Sequence, residues 1–211
     1  MENKKAVLLL SGGIDSTTLL AQLTSEGYSI LALSFDYGQK HRYELELAKK
    51  NAALYRVVEH KIVAIAPELF KSSALVNKDH QLSTYAEKIV PETQVNAYVP
   101  FRNLLFLSMA LSLAESSKSR AVYGAFNKDD GLHYWDCSKQ FISNVSAIAR
   151  QNSDIEIVAP FLELTKKEII ELSISLKVDL TQTVSCYQPI NDKECGSCFS
   201  CRSKKIALGK Q

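Results

Sequence analysis

Residues 6–20 read AVLLLSGGIDSTTLL. Five apolar residues in a row, Ala6 to Leu10, suit a strand, and the lack of polar alternation suits one covered on both faces. Gly12 and Gly13 follow, then a helical stretch from Ser16 to Glu26 and a second apolar run, SILALSF, at 29–35. Strand, turn, helix and strand in this order make a βαβ unit, whose strands run parallel.

Downstream the alternation continues. The pattern predicts a helix from about His41 to Leu54, a strand within 56–65, an apolar helix over 101–114 and a strand at 120–126. A helix near 138–150, a strand at 155–160 and a helix over 165–177 complete it. Strands taking turns with helices predict a doubly wound parallel sheet with helices on both faces. Residues 67–100 are polar and show no clean period, so they are expected to form a loop or lid-like insertion and not a core element. After Thr181 the pattern gives way to clustered cysteines. The expected organisation is an α/β body over 1–180 and a small cysteine-rich subdomain over 181–211.

The chain has 211 residues, enough for a substantial core, and a formal net charge of +2, too near neutral to argue for a nucleic-acid surface. Arg202, Lys204, Lys205 and Lys210 read as a solvated face. The apolar segment after Lys5 is too short for a signal-peptide core, and the run Phe101 to Ala114 is shorter than a membrane span and carries Asn103 and Ser108. A cytoplasmic protein is expected. Four of five cysteines lie in the last quarter of the chain, which in a reducing compartment suggests metal more than disulfide.

In SGGIDSTT the glycines admit backbone conformations that a Cβ opposes, so successive N–H groups can converge on an anion. Hydroxyls and free amides at a helix N-terminus then form a phosphate site without a lysine. Neither the Gly-Lys-Ser/Thr of a Walker A loop nor the G-x-G-x-x-G spacing is present. A plain strand-to-helix turn capped by Asp15 or Ser16 is the alternative. The octet resembles the SGGxDS/T signature of the PP-loop ATP pyrophosphatases, an adenine nucleotide alpha hydrolase-like fold. That resemblance implies that Ser11, Gly12, Gly13, Asp15, Ser16 and Thr17 hold the pyrophosphate end of ATP, leaving the α-phosphorus open to attack. An acid would then become an acyl-adenylate, with Mg2+ near Asp15 offsetting charge. Ser34-Phe35-Asp36 ends the second strand, where open α/β sheets bind ligands, and Asp36 is a candidate for adenine or ribose contact. A packed Phe and a capping Asp are the alternative there.

Cys186, Cys195, Cys198 and Cys201 are spaced C-x8-C-x2-C-x2-C. Four thiolates match a closed tetrahedral Zn2+ site of structural type; an iron–sulfur cluster is the rival. A zinc ribbon for nucleic acid is a further alternative, given the basic residues beside it. Cys137 stands apart and reads as a packed residue.

With SGGIDSTT, the blocks FDYGQKHRYELELAKK, YVPFRNLLFLSMAL, YWDCSKQF and SCYQPINDKECGSCFSCRSKK together resemble the 7-cyano-7-deazaguanine synthase family over nearly the whole chain. The resemblance implies ATP contacts at Leu9, Leu10, Ser11, Gly12, Gly13, Ile14, Asp15, Ser16, Thr17, Thr18 and Leu19, zinc on the four cysteines, and a homodimer. It also implies an acid-binding region around Arg102 and Asp136. Asp15, Ser16, Arg102 and Asp136 are accordingly the expected catalytic group, with small-molecule partners (7-carboxy-7-deazaguanine, ammonia and ATP), no membrane and no nucleic acid. Arg102 suits an anion because a guanidinium meets a carboxylate with two parallel bonds; an ordinary salt bridge is the alternative. His41 reads as either a substrate contact or a helix cap, and Lys166 as either a phosphate partner or a surface lysine. The chain departs from the family's Tyr-Pro-Asp-Cys at Tyr134-Trp135-Asp136-Cys137, which is expected to reshape the pocket wall, and the preceding stretch is one residue longer, so Asp129 and Asp130 both qualify for one position. A tRNA-thiolating PP-loop enzyme is the nearest rival reading.

Overall fold

The computed structural model describes residues 4–82, 96–190 and 193–209. Five parallel strands form one sheet in the order β3-β2-β1-β4-β5: β1 Lys5–Leu9, β2 Ser29–Asp36, β3 Glu59–Ala64, β4 Ala121–Tyr123 and β5 Glu156–Val158. Strand order runs outward from β1 to β2 and β3, then resumes on β1's other side with β4. That reversal opens a crevice at the carboxyl end of β1, the place where such sheets bind ligands.

The uninterrupted apolar run of β1 follows from cover on both faces. Val7 packs with Leu31, Leu107 and Phe141 in one core layer, whereas Ala6 and Leu8 pack with Leu19, Leu20 and Ile169 in the other. The first layer is closed by α3 (Arg102–Ser116) and α5 (Lys139–Ala149), the second by α1 (Ile14–Ser25), α2 (Tyr43–Leu54) and α6 (Lys166–Ser175). Strand parity therefore sorts side chains between layers. A buried hydroxyl pair, Thr18 Oγ1 to Ser173 Oγ at 2.6 Å, ties α1 to α6. The short α4 (Lys128–His133) and the C-terminal α7 (Phe199–Ala207) complete the helices among the described residues.

The expectation that residues 67–100 stay out of the core is corrected by this structure. Phe70, Ala74, Leu75, Val76 and Leu82 on one side, and Ala97 and Val99 on the other, are buried in the α3-side layer. A 3-10 turn over Pro67–Phe70 and tight turns after it deliver side chains singly, so no helical or strand period marks them. Residues 83–95 of that expectation lie outside the described residues. At the C-terminus, Val184 and the four clustered cysteines, three of them buried and Cys195 partly so, form one cluster with Leu47 of α2.

Candidate active site

The turn between β1 and α1 is shaped by what lies behind it. Gly12 has φ +85°, and a Cβ there would meet the Glu44 carbonyl oxygen at 2.2 Å. Gly12 is thus required by the close approach of α2 as well as by its left-handed backbone. Gly13 is different: it is extended (φ −75°) and forms the N-cap of α1 with no side-chain cap bond. The first helical bond is Thr17 N–H to Gly13 O at 3.0 Å, so the amides of Ile14, Asp15 and Ser16 precede the ladder. Ser11 and Ser16 hydroxyls meet at 3.0 Å, and Ser11 Oγ accepts from Gly13 N–H at 3.1 Å. Ser16 ties the turn, its Oγ accepting from Ser11 N–H and donating to Gly13 O, both at 3.2 Å, while Gly13 as N-cap supplies no side chain to the first amides of α1.

These groups line a cleft of about 270 Å³ at the carboxyl end of β1. Of the residues expected to contact nucleotide, Leu9, Leu10, Ser11, Gly13, Ile14, Asp15 and Ser16 line it. Gly12 lies behind, and Thr17, Thr18 and Leu19 are turned into the protein by the 100° step of the helix. Thr17 Oγ1 faces Asn51 Nδ2 at 3.5 Å, Thr18 bonds to Ser173, and Leu19 is in the core. Nor does the structure bring Asp36 to the cleft: its carboxylate pairs with Arg42 and accepts from Gly38 N–H at 3.3 Å, closing the turn after β2.

Asp15 does not stand alone. Lys166 Nζ, at the first turn of α6, donates to both its oxygens at 2.7 and 2.6 Å, and Asn127 Nδ2 donates to Oδ2 at 2.9 Å. The same Asn127 amide donates to Asp130 Oδ2 at 2.8 Å, while its Oδ1 caps α4 by accepting from Asp130 N–H. Burial works against the charge on Lys166, yet Asp15, Asp130 and Asp129 together raise its pKa. For Asp130 burial dominates, helped by Asp15, and raises its carboxyl above the usual range. The structure separates the two eligible aspartates: Asp130 lines the cleft, whereas Asp129 Oδ2 accepts from Lys166 N–H at 2.8 Å. Lys166 is aimed by the Thr165–Glu168 capping box, a sequence signal that locates the start of α6 and hence the side chain following Thr165. Asn127 carried no sequence signal.

Arg102 begins α3 and lines the same cleft. The residue before it, Phe101, sits at φ +52°, a left-handed conformation costly for a bulky side chain and held here by its neighbours. Arg102 Nη1 donates to Tyr37 Oη at 3.2 Å, and Nε is buried without a protein partner. Burial disfavours its charge, but Tyr37, Asp136 and Cys137 more than restore it. Burial in turn pushes the Tyr37 hydroxyl up to about 12, against the lowering by Arg102. Asp136, expected among the catalytic residues, is 2% exposed and does not line the cleft; it stands behind Arg102 as a counter-charge. Cys137 does line it, but burial pushes its thiol well up, and Sγ accepts from Asn103 Nδ2 at 3.3 Å, as in a packed residue. Trp135 is not in the cleft wall: it sits at the surface, where Nε1 donates to Tyr98 Oη at 2.8 Å and the ring packs edge-on to Phe101 at 5.5 Å. The expected change to the pocket wall is corrected to a brace beneath the strained Phe101.

The sulfur atoms of Cys186, Cys195, Cys198 and Cys201 all lie within 4.8 Å of one another. A tetrahedral Zn2+ with bonds of about 2.3 Å separates its thiolates by roughly 3.8 Å, so the set fits a single ion; a cluster of several irons needs a wider cage. Cys195 N–H donates to Cys186 Sγ at 3.2 Å and Cys198 N–H to Cys195 Sγ at 3.4 Å, holding the sulfurs as acceptors. Gly196, at φ +72°, makes the turn between them. Cys186 also reaches the cleft, so the metal-binding segment forms part of its wall.

The family described as queuosine biosynthesis protein QueC matches residues 5–211. The 7-cyano-7-deazaguanine synthase of Saccharophagus degradans is 41% identical over 213 residues, covering 97% of this chain and 93% of that protein. The Leptospira interrogans protein of the same name is 43% identical over 210 residues, covering 96% and 86%. Among solved structures, NMN synthetase from Francisella tularensis aligns with a TM-score of 0.56 at 18% identity, covering 100% of this chain and 79% of that one. The NH3-dependent NAD synthetase of Campylobacter jejuni gives 0.51 at 20% identity, covering 86% and 68%. At such identities the structural likeness concerns the fold, a PP-loop-like parallel sheet.

Proposed function

The chain belongs to the queuosine biosynthesis protein QueC family, and from that premise we propose that it is an ATP-dependent ligase converting 7-carboxy-7-deazaguanine and ammonia to the 7-cyano product. The observation that carries this reading is that the uncapped N-terminus of α1 and the buried Arg102 open on one cleft. The amides of Ile14, Asp15 and Ser16, with the Ser11 and Ser16 hydroxyls, would hold the outer phosphates, and Lys166 would offset their charge. Arg102, whose Nε is unspent, would hold the substrate carboxylate or the phosphate it becomes attached to.

The carboxylate oxygen attacks the α-phosphorus, the bond to the pyrophosphate oxygen breaks, and an acyl-adenylate forms. Ammonia adds to the acyl carbon, loses a proton and expels AMP, leaving the amide. The amide oxygen is then activated by nucleotide in turn and leaves as the nitrogen gives up its protons and the C≡N bond forms. Both activations need the same phosphate geometry, so one cradle serves each. Ammonia reacts as the free base, and Asp130, which lines the cleft and has a raised pKa, would take a proton. Mg2+ entering with ATP would be held at Asp15, in competition with Lys166, and would neutralise phosphate charge. Zn2+ would be held by the four cysteines as a structural ion fixing the segment that carries Cys186, the 181–211 subdomain against the 1–180 body. A homodimer and a cytoplasmic location belong to the same reading; half-exposed Trp135 and exposed Phe101 offer apolar surface, and none of the five cysteines is disulfide-bonded.

Incubation with ATP, Mg2+, ammonium and 7-carboxy-7-deazaguanine should yield the nitrile by mass spectrometry, with AMP from the first activation. Intact ATP and unchanged acid under these conditions, with zinc-loaded folded protein, would refute the reading.

A further inference from the structure

The corner between β2 and α2 carries polar groups that neither the phosphate loop nor the metal site uses. Gln39 is 2% exposed, yet its amide is fully engaged. Its Oε1 accepts from Tyr37 N–H at 2.9 Å, and its Nε2 donates to the Phe35 carbonyl at 3.0 Å and to Glu44 Oε1 at 3.0 Å. Gln39 is therefore fixed to the end of β2 and uses its remaining proton to aim a carboxylate that lines the cleft. His41 Nε2 lies 3.4 Å from the same Oε1. A glutamate that merely complements the helix dipole in the first turn of α2 would stay in solvent and need no such support. Here Oε1 is gripped from two sides, and among the described residues Oε2 accepts from no protein donor.

His41 lines the cleft as well, and its Nδ1 is buried with no protein partner. In the tautomer that carries its proton on Nε2, the nitrogen facing Glu44, Nδ1 presents a lone pair. Two unspent acceptors, Glu44 Oε2 and His41 Nδ1, thus belong to neighbouring side chains of one cleft. An acceptor buried without a donor, as His41 Nδ1 is, is costly, so a ligand that supplies a donor to it and a second one to the neighbouring Glu44 Oε2 is favoured over one that does not.

We infer that Glu44 and His41 read the pyrimidine edge of the substrate, taking the adjacent N1–H and 2-amino protons of its 2-amino-4-oxo ring, with Gln39 as the positioning residue. The inference rests on the synthase reading above and adds to it the residues that select the base. Adenine offers one amino donor beside a ring acceptor at its corresponding edge, not two donors, so the corner is assigned to the acid substrate and not to ATP.

The test compares 7-carboxy-7-deazaguanine with its 2-deamino counterpart, on wild-type protein and on Glu44→Gln. Wild type should use the 2-deamino acid with kcat/KM lower by about 30-fold or more, as expected when a site built to bond an amino group is left unpaired. Glu44→Gln retains an acceptor for Gln39 but turns a donor towards the substrate's donors. It should lose about 30-fold or more on the natural acid, bring the ratio between the two acids towards one, and leave the KM for ATP within about 2-fold. Equal use of both acids by wild type overturns the inference alone, and needs no variant to fold. A Glu44→Gln protein that keeps the discrimination, or whose defect is a raised KM for ATP, overturns it too. Wild type that turns over neither acid refutes the synthase reading, and the inference falls with it.

Discussion

Removing the ammonium of Lys166 tests the electrostatics of the site most directly. In Lys166→Met the stem is kept, but Asp15 loses donors at 2.7 and 2.6 Å and Asp130 loses its nearest cation. Deleting one partner of a fully buried pair costs about 3–5 kcal/mol. Here the side chains retain 12% and 15% exposure and Asp15 keeps the Asn127 bond, so about 2–3 kcal/mol is expected at pH 7.5. For a chain of this size that corresponds to roughly 5–10 °C in Tm. The sign with pH follows from the shifts. Lys166 has a raised folded pKa, so its contribution is fully present below the unfolded lysine pKa and is lost only as pH rises through the folded value. At pH 7.5 the wild type therefore has all of it, and the variant none. In the variant Asp130, whose carboxyl is already raised by burial and by Asp15, loses the lowering by Lys166, so the deficit should shrink as the pH falls and it protonates. Urea titrations followed by circular dichroism at pH 5 and 7.5 measure this, with the double variant Lys166→Met/Asp15→Asn closing the cycle. The double variant should recover at least about 1.5 kcal/mol relative to additivity and remain inactive. Additive effects, or a deficit independent of pH, would refute the argument that Lys166 and Asp15 act as one buried pair.

Three further outcomes are expected. Gly12→Ala should abolish soluble folded protein or cost more than about 4 kcal/mol, because its Cβ meets the Glu44 carbonyl at 2.2 Å, whereas Gly27→Ala, also at positive φ but with nothing within 4 Å, should cost only about 1 kcal/mol; thermal melts of the two compare steric closure with backbone strain. Purified protein should carry one zinc per chain by elemental analysis, and chelation should lower Tm and raise amide exchange over 184–207; stoichiometric iron, or an unchanged melt after metal loss, would overturn the zinc assignment. Asp130→Asn should be inactive yet more stable than wild type by about 1 kcal/mol at pH 8 and equal to it at pH 3, since a carboxyl with a raised folded pKa loses stability as pH climbs above its unfolded value; equal stability at pH 8 would contradict the burial argument.

What the sequence made legible was local or periodic. An apolar run such as 6–10 bounded by glycines, and cysteines two apart, each carry their meaning within a few residues, so the βαβ start and the metal cluster could be read directly. The pairing of Asp15 with Lys166 spans 151 positions, and no spacing announces it. Nothing in the sequence singles out Gln39 and Glu44, because only the fold shows that Gln39 is fixed to the end of β2 by Phe35 and Tyr37. Asp36 drew a ligand role from its place at the end of β2, but Arg42 and Gly38 take its oxygens first. Phe70, Leu75 and Val99 were missed as core because turns present them one at a time, without a repeat for a pattern to detect.

The cleft holds two partly buried cations, and each already has a partner in the protein: Lys166 has Asp15, and Arg102 has the Tyr37 hydroxyl with the Asp136 carboxylate behind it, its Nε left over. Unpaired, either would be too costly to bury. A site for two anions must nevertheless offer cations, and the arrangement meets both demands because the internal partners are weaker claimants than the ligands. Tyr37 stays neutral with its hydroxyl pushed up to about 12, so a substrate carboxylate brings Arg102 a full charge where Tyr37 brings only a dipole. Asp15 competes harder, since it is a carboxylate at 2.6 Å; a nucleotide must draw Lys166 towards its phosphates, and the Asp15 oxygens so released become available to a divalent cation arriving with it. On that argument nucleotide and metal are bound together or not at all. Titration of Lys166→Met should then show ATP binding weakened and the coupling between ATP and Mg2+ reduced, because the variant has no ammonium for the nucleotide to draw off and Asp15 is open to the cation beforehand; a variant that loses ATP affinity while its Mg2+ dependence is unchanged would show that Lys166 and the cation do not share Asp15.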